Sequence, residues 1–466
     1  MFTPMDPTAQ AFMNADSRQT PMHVAGLHLF ELPDGADRQW VRETYDASLE
    51  VERIARLYVK HPYRSLRTAG VFGWTEDQQF DLEYHVRLSA LPTPGRVRDL
   101  LELVGLLHGT RLALERPLWE AHFIEGLADG RLAMYTKLHH ALVDGVSAMR
   151  LLQETLSTDP EARDTPPPWA SRTPSELAGD DDVALAPLRG LPLATIRSAV
   201  ALMAEAAGLP GALLTTLDRS LRNQAAPVSF RAPRSVLNQR ITGARRVAAQ
   251  QWPVERIRTV GKAADATIND VVLAMCSGAL RTYLSELASL PQAPLVAMVP
   301  VSLRRSEADV DSEGGGNAIG TLMVSLATDL QDPGDRLAAI HSSVLSGRAA
   351  MATLSQPQIL AMSALGMSGL VPQLLGLPSL GPPFNLVISN VPGPRQALYL
   401  NGAKLTDVYP LSIPTHGLAM NITCTSYDGM MNFGVTGCRR SLPRLQRLLG
   451  HLDDELGRLE EAAGVA

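Results

Sequence analysis

The chain has 466 residues, 45% hydrophobic and 19% charged, a composition that excludes a disordered, fibrous or small disulfide-stapled protein. A formal net charge of −6 offers no global basic field for nucleic acid. Three scattered cysteines, Cys276, Cys424 and Cys438, make neither a disulfide framework nor a zinc site and suit a reducing compartment.

Single cores stop growing beyond roughly 250–300 residues, so at least two domains are expected. The opening MFTPMDPTAQAF has neither the basic end nor the apolar run of a signal peptide, so the sequence predicts a cytoplasmic protein. Residues 24–31 and 132–138 read as strands, and apolar residues at helical spacing make 95–114 a helix. Gly145 precedes a helical run over 146–156. The Pro-, Ser-, Thr- and acid-rich stretch 157–182 marks an exposed linker, followed by short apolar helices near 193–207 and 212–222. A second domain opens around Ser229, giving units 1–156, 157–228 and 229–466.

The second half is richer in strands, at 295–303, 319–327 and 385–389. Two hairpins are signalled by Asn401-Gly402, joining 397–400 to 403–408, and by Asp428-Gly429, joining 418–427 to 430–437. These dipeptides supply the positive φ that two-residue turns need. Helices are expected at 269–287, 335–345 and 442–461. The whole reads as two α/β halves joined by a long linker. Residues 349–394 carry no charge, but Pro357, Pro372 and Pro378 interrupt them before a membrane-spanning helix can form. The stretch is either buried core or an apolar surface that meets lipid or lines a tunnel.

The sharpest local feature is His139-His140-Ala141-Leu142-Val143-Asp144-Gly145, between a strand and a helix. Consecutive residues at a strand end point to opposite sides, so the two histidines serve different roles. A neutral imidazole suits removal of an alcohol proton near pH 7, and Asp144 either orients it or braces the turn. Two ordinary histidines at a strand end would look the same. No further ligand lies at metal-site spacing and no Gly-x-Ser-x-Gly elbow occurs, so neither a metal centre nor a serine hydrolase is expected.

HHALVDG resembles the HHxxxDG signature of the chloramphenicol-acetyltransferase-like superfamily. Its bacterial wax ester synthase/diacylglycerol acyltransferase branch is similar along nearly the whole chain. The resemblance is carried by Thr20-Pro21-Met22-His23-Val24, Phe80-Asp81-Leu82-Glu83-Tyr84-His85-Val86-Arg87, Pro117-Leu118-Trp119, Asn269-Asp270-Val271-Val272, Pro300-Val301-Ser302-Leu303-Arg304 and Ser389-Asn390-Val391-Pro392-Gly393-Pro394, in that order. It implies two chloramphenicol-acetyltransferase-like α/β domains with a tunnel at their interface. It implies His140 as the general base that activates a long-chain alcohol or diacylglycerol towards the thioester of a fatty acyl-CoA. Asp144 would brace the turn by pairing with Arg304, and Gly145 would let the backbone turn tightly. Acyl-CoA is then a substrate, with no cofactor or metal, and the enzyme would sit peripherally on a membrane or lipid droplet, through 349–394 and the helix at 193–207. A catalytically silent lipid-binding protein on this scaffold, or an acyltransferase with a carrier-protein thioester as donor, are the alternatives.

The remaining blocks have plain structural readings. Thr267 and Asp270 form a capping box, with Asn269 a candidate polar contact to the reacting oxygen. Pro117-Leu118-Trp119 is a packing anchor, Ser389–Pro394 a strand end and turn, and His341 and His416 isolated structural residues. Asn432-Phe433-Gly434 departs from the DFGWG-like block of plant-type and condensation-type relatives.

Overall fold

The computed structural model describes residues 2–65, 68, 70–143, 145–171, 232–302, 319–352, 354, 358–359 and 381–466. Three sheets organise these residues. The small one has the order β1 (Thr3–Pro4), β4 (Gly73–Glu76), β3 (Lys60–Tyr63). The first large sheet runs β12 (Tyr399–Leu400), β13 (Ala403–Leu411), β2 (His23–Glu31), β7 (Leu132–His139), β6 (Trp119–Glu125), β5 (Val86–Ala90). The second runs β10 (Ile319–Ser325), β9 (Val296–Ser302), β11 (Leu386–Val391), β14 (Met420–Tyr427), β15 (Met430–Cys438), β8 (Arg245–Pro253).

Helices cover these sheets in chain order. They are α1 (Pro7–Ala15), α2 (Arg38–Leu49), the single turns α3 (Arg56–Val59) and α4 (Leu82–His85), α5 (Val97–Gly109) and α6 (Gly145–Thr155) in the N-terminal half. The C-terminal half contributes α7 (Val254–Ala263), α8 (Ile268–Glu286), α9 (Pro333–Ala352) and α10 (Arg447–Ala462). The run Val271–Cys276 of α8 is buried throughout, packed between the second sheet and α9 and α10. A helix apolar around its circumference is stable only in such a sandwich.

Both hairpins form as expected, with Asn401 and Gly402 at φ 49° and 87° and Asp428 and Gly429 at 43° and 78°. The division of the chain at 228/229 needs a correction at the level of the sheets. β12 and β13 come from the C-terminal unit, yet β13 pairs antiparallel with β2, Tyr409 opposite Leu27 and Leu411 opposite Ala25. An extended segment that pairs with an open sheet edge satisfies both rows of backbone groups. β13 also crosses β15: the Val408 amide donates to Asn432 Oδ1 at 3.3 Å. A Cβ on Gly434 would lie 1.8 Å from the Pro410 carbonyl oxygen, so the crossing requires a glycine there. The block Asn432-Phe433-Gly434 is therefore the point where the two sheets meet.

The expected helices at 193–207 and 212–222, and most of the charge-free stretch, lie outside the described residues. Of its described residues, Phe384, Asn385 and Leu386 have no exposed surface and belong to the core, whereas Ala349, Ala352 and Pro392 are exposed. Among the described residues no helix is long and apolar enough to cross a membrane.

Candidate active site

β7 ends at His139, opposite His23 of β2. The His139 amide donates to Leu118 O at 2.9 Å and the His140 amide to Met22 O at 2.8 Å, so flanking segments hold the backbone of both residues. The two rings then diverge. His139 is buried, and its Nδ1 accepts the Ala141 amide at 3.1 Å. An accepting Nδ1 leaves the proton of the neutral ring on Nε2. Burial, with the nearby His140 and Arg111 charges, lowers its pKa to about 3, so the ring is neutral at physiological pH. Its Nε2 has no hydrogen-bond partner. His140 is half-buried, its ring stacked on Phe12 of α1 with centroids 4.2 Å apart and planes 8° apart.

Phe12 is a site residue that the sequence did not reveal. α1 is locked by the residue that ends it: Asp16 accepts the Met22 amide at 3.0 Å and Arg111 Nε at 2.5 Å. Met22 is the residue whose carbonyl takes the His140 amide. One short chain of contacts therefore sets both the backbone of His140 and the phenyl ring against it.

Beneath His139, on the same face of the sheet, lies a buried polar layer. Lys137, fully buried, donates to Leu107 O at 3.0 Å and Thr110 O at 2.9 Å at the end of α5, and pairs with Glu120 at 3.2 Å. Burial raises the Glu120 pKa, but the His122 hydrogen bond and the Lys137 and Arg87 charges outweigh it and hold the carboxyl at about 2. His108 bonds Tyr135 Oη at 2.9 Å and Ser412 O at 3.1 Å, and burial lowers it to about 3. Arg245 of β8 donates to Gln19 O at 2.8 Å. The Ser412 and Arg245 contacts tie the C-terminal half to α5 and to the segment that leads into β2.

Gly145 opens α6, and a Cβ there would meet Val391 Cγ2 at 3.9 Å, an ordinary contact. Space at this position therefore does not demand a glycine. The same distance brings the strand end of Ser389–Pro394 beside the motif helix. Trp119 opens β6 with no exposure, donates to Tyr58 O at 2.8 Å and stacks against His85 and Trp169.

Asp144 and Arg304 lie outside the described residues. The capping box forms, with Thr267 Oγ1 accepting the Asp270 amide at 3.2 Å and Asp270 Oδ2 accepting the Thr267 amide at 2.9 Å. Asp270 Oδ2 also binds His341 Nδ1 at 2.8 Å, so His341 is not isolated. Asp270 is fully buried in this role. Asn269, in the same helical turn, is half-buried. His416 is not isolated either: it accepts the Ile241 amide at 3.1 Å and meets Gln19 Oε1 at 3.0 Å. Both partners are distant in sequence, which is why neither was legible from it.

Two lobes meeting beside a His-His strand end define the class. The first condensation domain of the calcium-dependent antibiotic synthetase superposes with a TM-score of 0.56 at 14% identity, covering 99% of this chain and 96% of that one. That is a likeness of fold. The wax ester synthase/diacylglycerol acyltransferase from Marinobacter aquaeolei VT8 superposes at 0.76 with 40% identity, covering 99% of this chain and 100% of that one. Residues 5–272 match the wax ester synthase/diacylglycerol acyltransferase catalytic domain, and residues 315–460 the C-terminal domain of that family. A Mycobacterium tuberculosis protein provisionally named a diacylglycerol O-acyltransferase is 46% identical over 467 residues, 99% of this chain and 100% of that protein.

The chain belongs to the wax ester synthase/diacylglycerol acyltransferase family. It is an acyltransferase.

Proposed function

We propose that the protein moves a fatty acyl group from acyl-CoA to the hydroxyl of a diacylglycerol or long-chain alcohol, with His140 as general base. The acceptor proton passes to the ring of His140, and the oxygen attacks the thioester carbonyl. The C–S bond breaks, and the departing CoA thiolate takes up the proton. No covalent acyl-enzyme is needed, no cofactor or metal enters, and acyl-CoA is consumed. The observation that carries this reading is the unlike setting of the paired histidines. His139 is sealed in the sheet with its tautomer set, whereas His140 is half-buried against Phe12, five residues before Gly145, where the strand end of the second lobe arrives.

Asp144 is proposed to brace the motif against Arg304, and Asn269 to lie near the reacting oxygen. The acceptors are almost insoluble in water, so the enzyme is proposed to work peripherally on a membrane or lipid-droplet surface. Release of CoA thiol from palmitoyl-CoA, measured with hexadecanol and with diolein in the presence of a chelator, tests the reading. Thiol release that depends on either acceptor supports it. No release with either acceptor, from folded protein, overturns it.

A further inference from the structure

A cavity in the N-terminal half has no role in the site described above. It measures about 620 Å³, inside the roughly 300–1,000 Å³ usual for small-molecule sites. Phe30 of β2, Phe123 of β6 and Met134 of β7 line it from the sheet, and Leu152 and Leu156 line it from the end of α6. α2 contributes Thr44 and Ala47.

One polar ring interrupts the apolar lining. His28 of β2 is only 8% exposed, yet its Nδ1 has no hydrogen-bond partner. A Cβ on Gly26 would lie 2.6 Å from His28 Cε1 and 2.8 Å from Nε2, so the Nε2 edge of the ring leans over Gly26. Burial lowers the His28 pKa to about 4, so at physiological pH the ring is neutral, with one donor and one acceptor nitrogen. Two hydroxyls of the same lining, on Ser48 and Thr155, are by contrast taken up by the Tyr45 and Leu151 carbonyls at 2.6 and 2.5 Å. A buried polar group left unpaired costs free energy, and a ligand that pairs with it gains that free energy back.

The strand register joins the cavity to the motif. His28 pairs with Met134, Gly26 with Thr136 and Val24 with Leu138, so three rows lead along one face of β2 and β7 towards His140. β2 and β7 are the two central strands of their sheet, yet Gly26 and Thr136 are only half-buried. Open space therefore lies over the middle row. Met134 is six residues from His140 and Thr136 four, or about 20 and 13 Å along a strand. The His28 ring stands between these rows, level with roughly the tenth to fifteenth carbon of an extended chain.

We infer that this cavity holds the acyl chain of the thioester substrate, and that His28 selects a chain bearing a hydroxyl in its distal half. This rests on the acyl-CoA reading above. An acyl donor presents one chain, which suits a passage one row wide, whereas a diacylglycerol presents two. A hydroxyl both donates and accepts, so it pairs with either tautomer of the neutral ring. A plain alkyl chain fills the same space and leaves the ring unpaired.

Calorimetric titration of the full-length protein with 12-hydroxystearoyl-CoA and with stearoyl-CoA, below their micellar concentrations and without acceptor, tests the inference. The parent should bind the hydroxylated thioester about three- to tenfold more tightly. His28→Phe should abolish that preference. Ala47→Trp, at an exposed position of the lining, should fill the cavity and weaken stearoyl-CoA relative to octanoyl-CoA by about tenfold or more. Equal affinity of the parent for the two long thioesters overturns the inference. So does a preference that survives in His28→Phe, or an Ala47→Trp protein that keeps the parent's ratio of stearoyl to octanoyl affinity. Should His28→Phe not fold, the parent's own preference and Ala47→Trp still decide the matter. Titration needs no turnover, so a failure of the acyltransfer reading would show as absent thiol release and not here.

Discussion

Protonation of His139 would place a cation inside the sheet, near Arg111 and His140, and burial holds its pKa at about 3. The ring is therefore a fixed neutral strut that accepts the Ala141 amide and donates to no protein group. Replacing His140 with Ala is expected to lower kcat by about 10²–10⁴-fold, the loss usual for a general base, with the thermal midpoint nearly unchanged. His139→Ala is expected to cost about 1–3 kcal/mol of stability, because it empties a buried site and frees the Ala141 amide. Turnover and thermal melts of both variants check the assignment; loss of turnover in a folded His139→Ala protein with an active His140→Ala protein would reverse it. If Asp144 and Arg304 pair, alanine at either should cost about 3–5 kcal/mol and the double variant less than the sum. Additive losses in urea melts would show that they do not pair. The HHxxxDG pattern was legible because its residues are contiguous. Phe12 was not, because 128 residues separate it from His140 and a stacked phenyl leaves no spacing signal.

At the scale of elements, the hairpins and the helix cap were readable for the same reason. Asn401-Gly402 and Asp428-Gly429 adopt the positive φ that their residue types favour, and Thr267 caps the helix whose third residue caps it back. Thr267→Ala should cost about 1 kcal/mol by denaturant unfolding. The crossing of β13 over β15 is a tighter constraint. At Gly434 an added Cβ meets the Pro410 backbone first, its oxygen at 1.8 Å, with the Leu411 side chain farther off at 3.2 Å, so Gly434→Ala should destabilise by about 1–3 kcal/mol or more. A melt at the parent temperature would show that the strands can separate without cost. Nothing local marks β13 as part of the first sheet: its apolar residues would bury equally well against either one, and only pairing with β2 decides it.

For the whole molecule, acid should be the sensitive axis. Burial lowers His28 to about 4 and His108 and His139 to about 3, from an ordinary value of 6.5. In the folded state these rings stay neutral while the unfolded chain takes up protons below 6.5, so falling pH favours unfolding. Their contribution is intact above pH 6.5 and is lost between there and pH 3–4, at up to about 1.4 kcal/mol per pH unit for each ring. Glu120, held at about 2, adds to the loss in the lower part of that window, below its ordinary 4.5. Against a total stability of about 5–15 kcal/mol, the thermal midpoint should fall steeply from pH 6 to pH 4. A midpoint flat across that interval would mean that the histidine layer is not buried neutral.

The amino-acid sequence by itself determined the α/β class, the strands β2, β7, β9 and β10 and both hairpins, though not β5 or β8, the paired histidines and, through blocks in a set order, the family. Each of these rests on near neighbours: hydrophobic period, turn chemistry, capping and contiguous motif residues. Only the tertiary structure decided which sheet received β13, that Phe12 lies on His140, and that His341 and His416 have partners. Those contacts join residues from about seventy to nearly four hundred positions apart. Their free energy comes from burial and pairing in three dimensions, which no local window of the chain encodes.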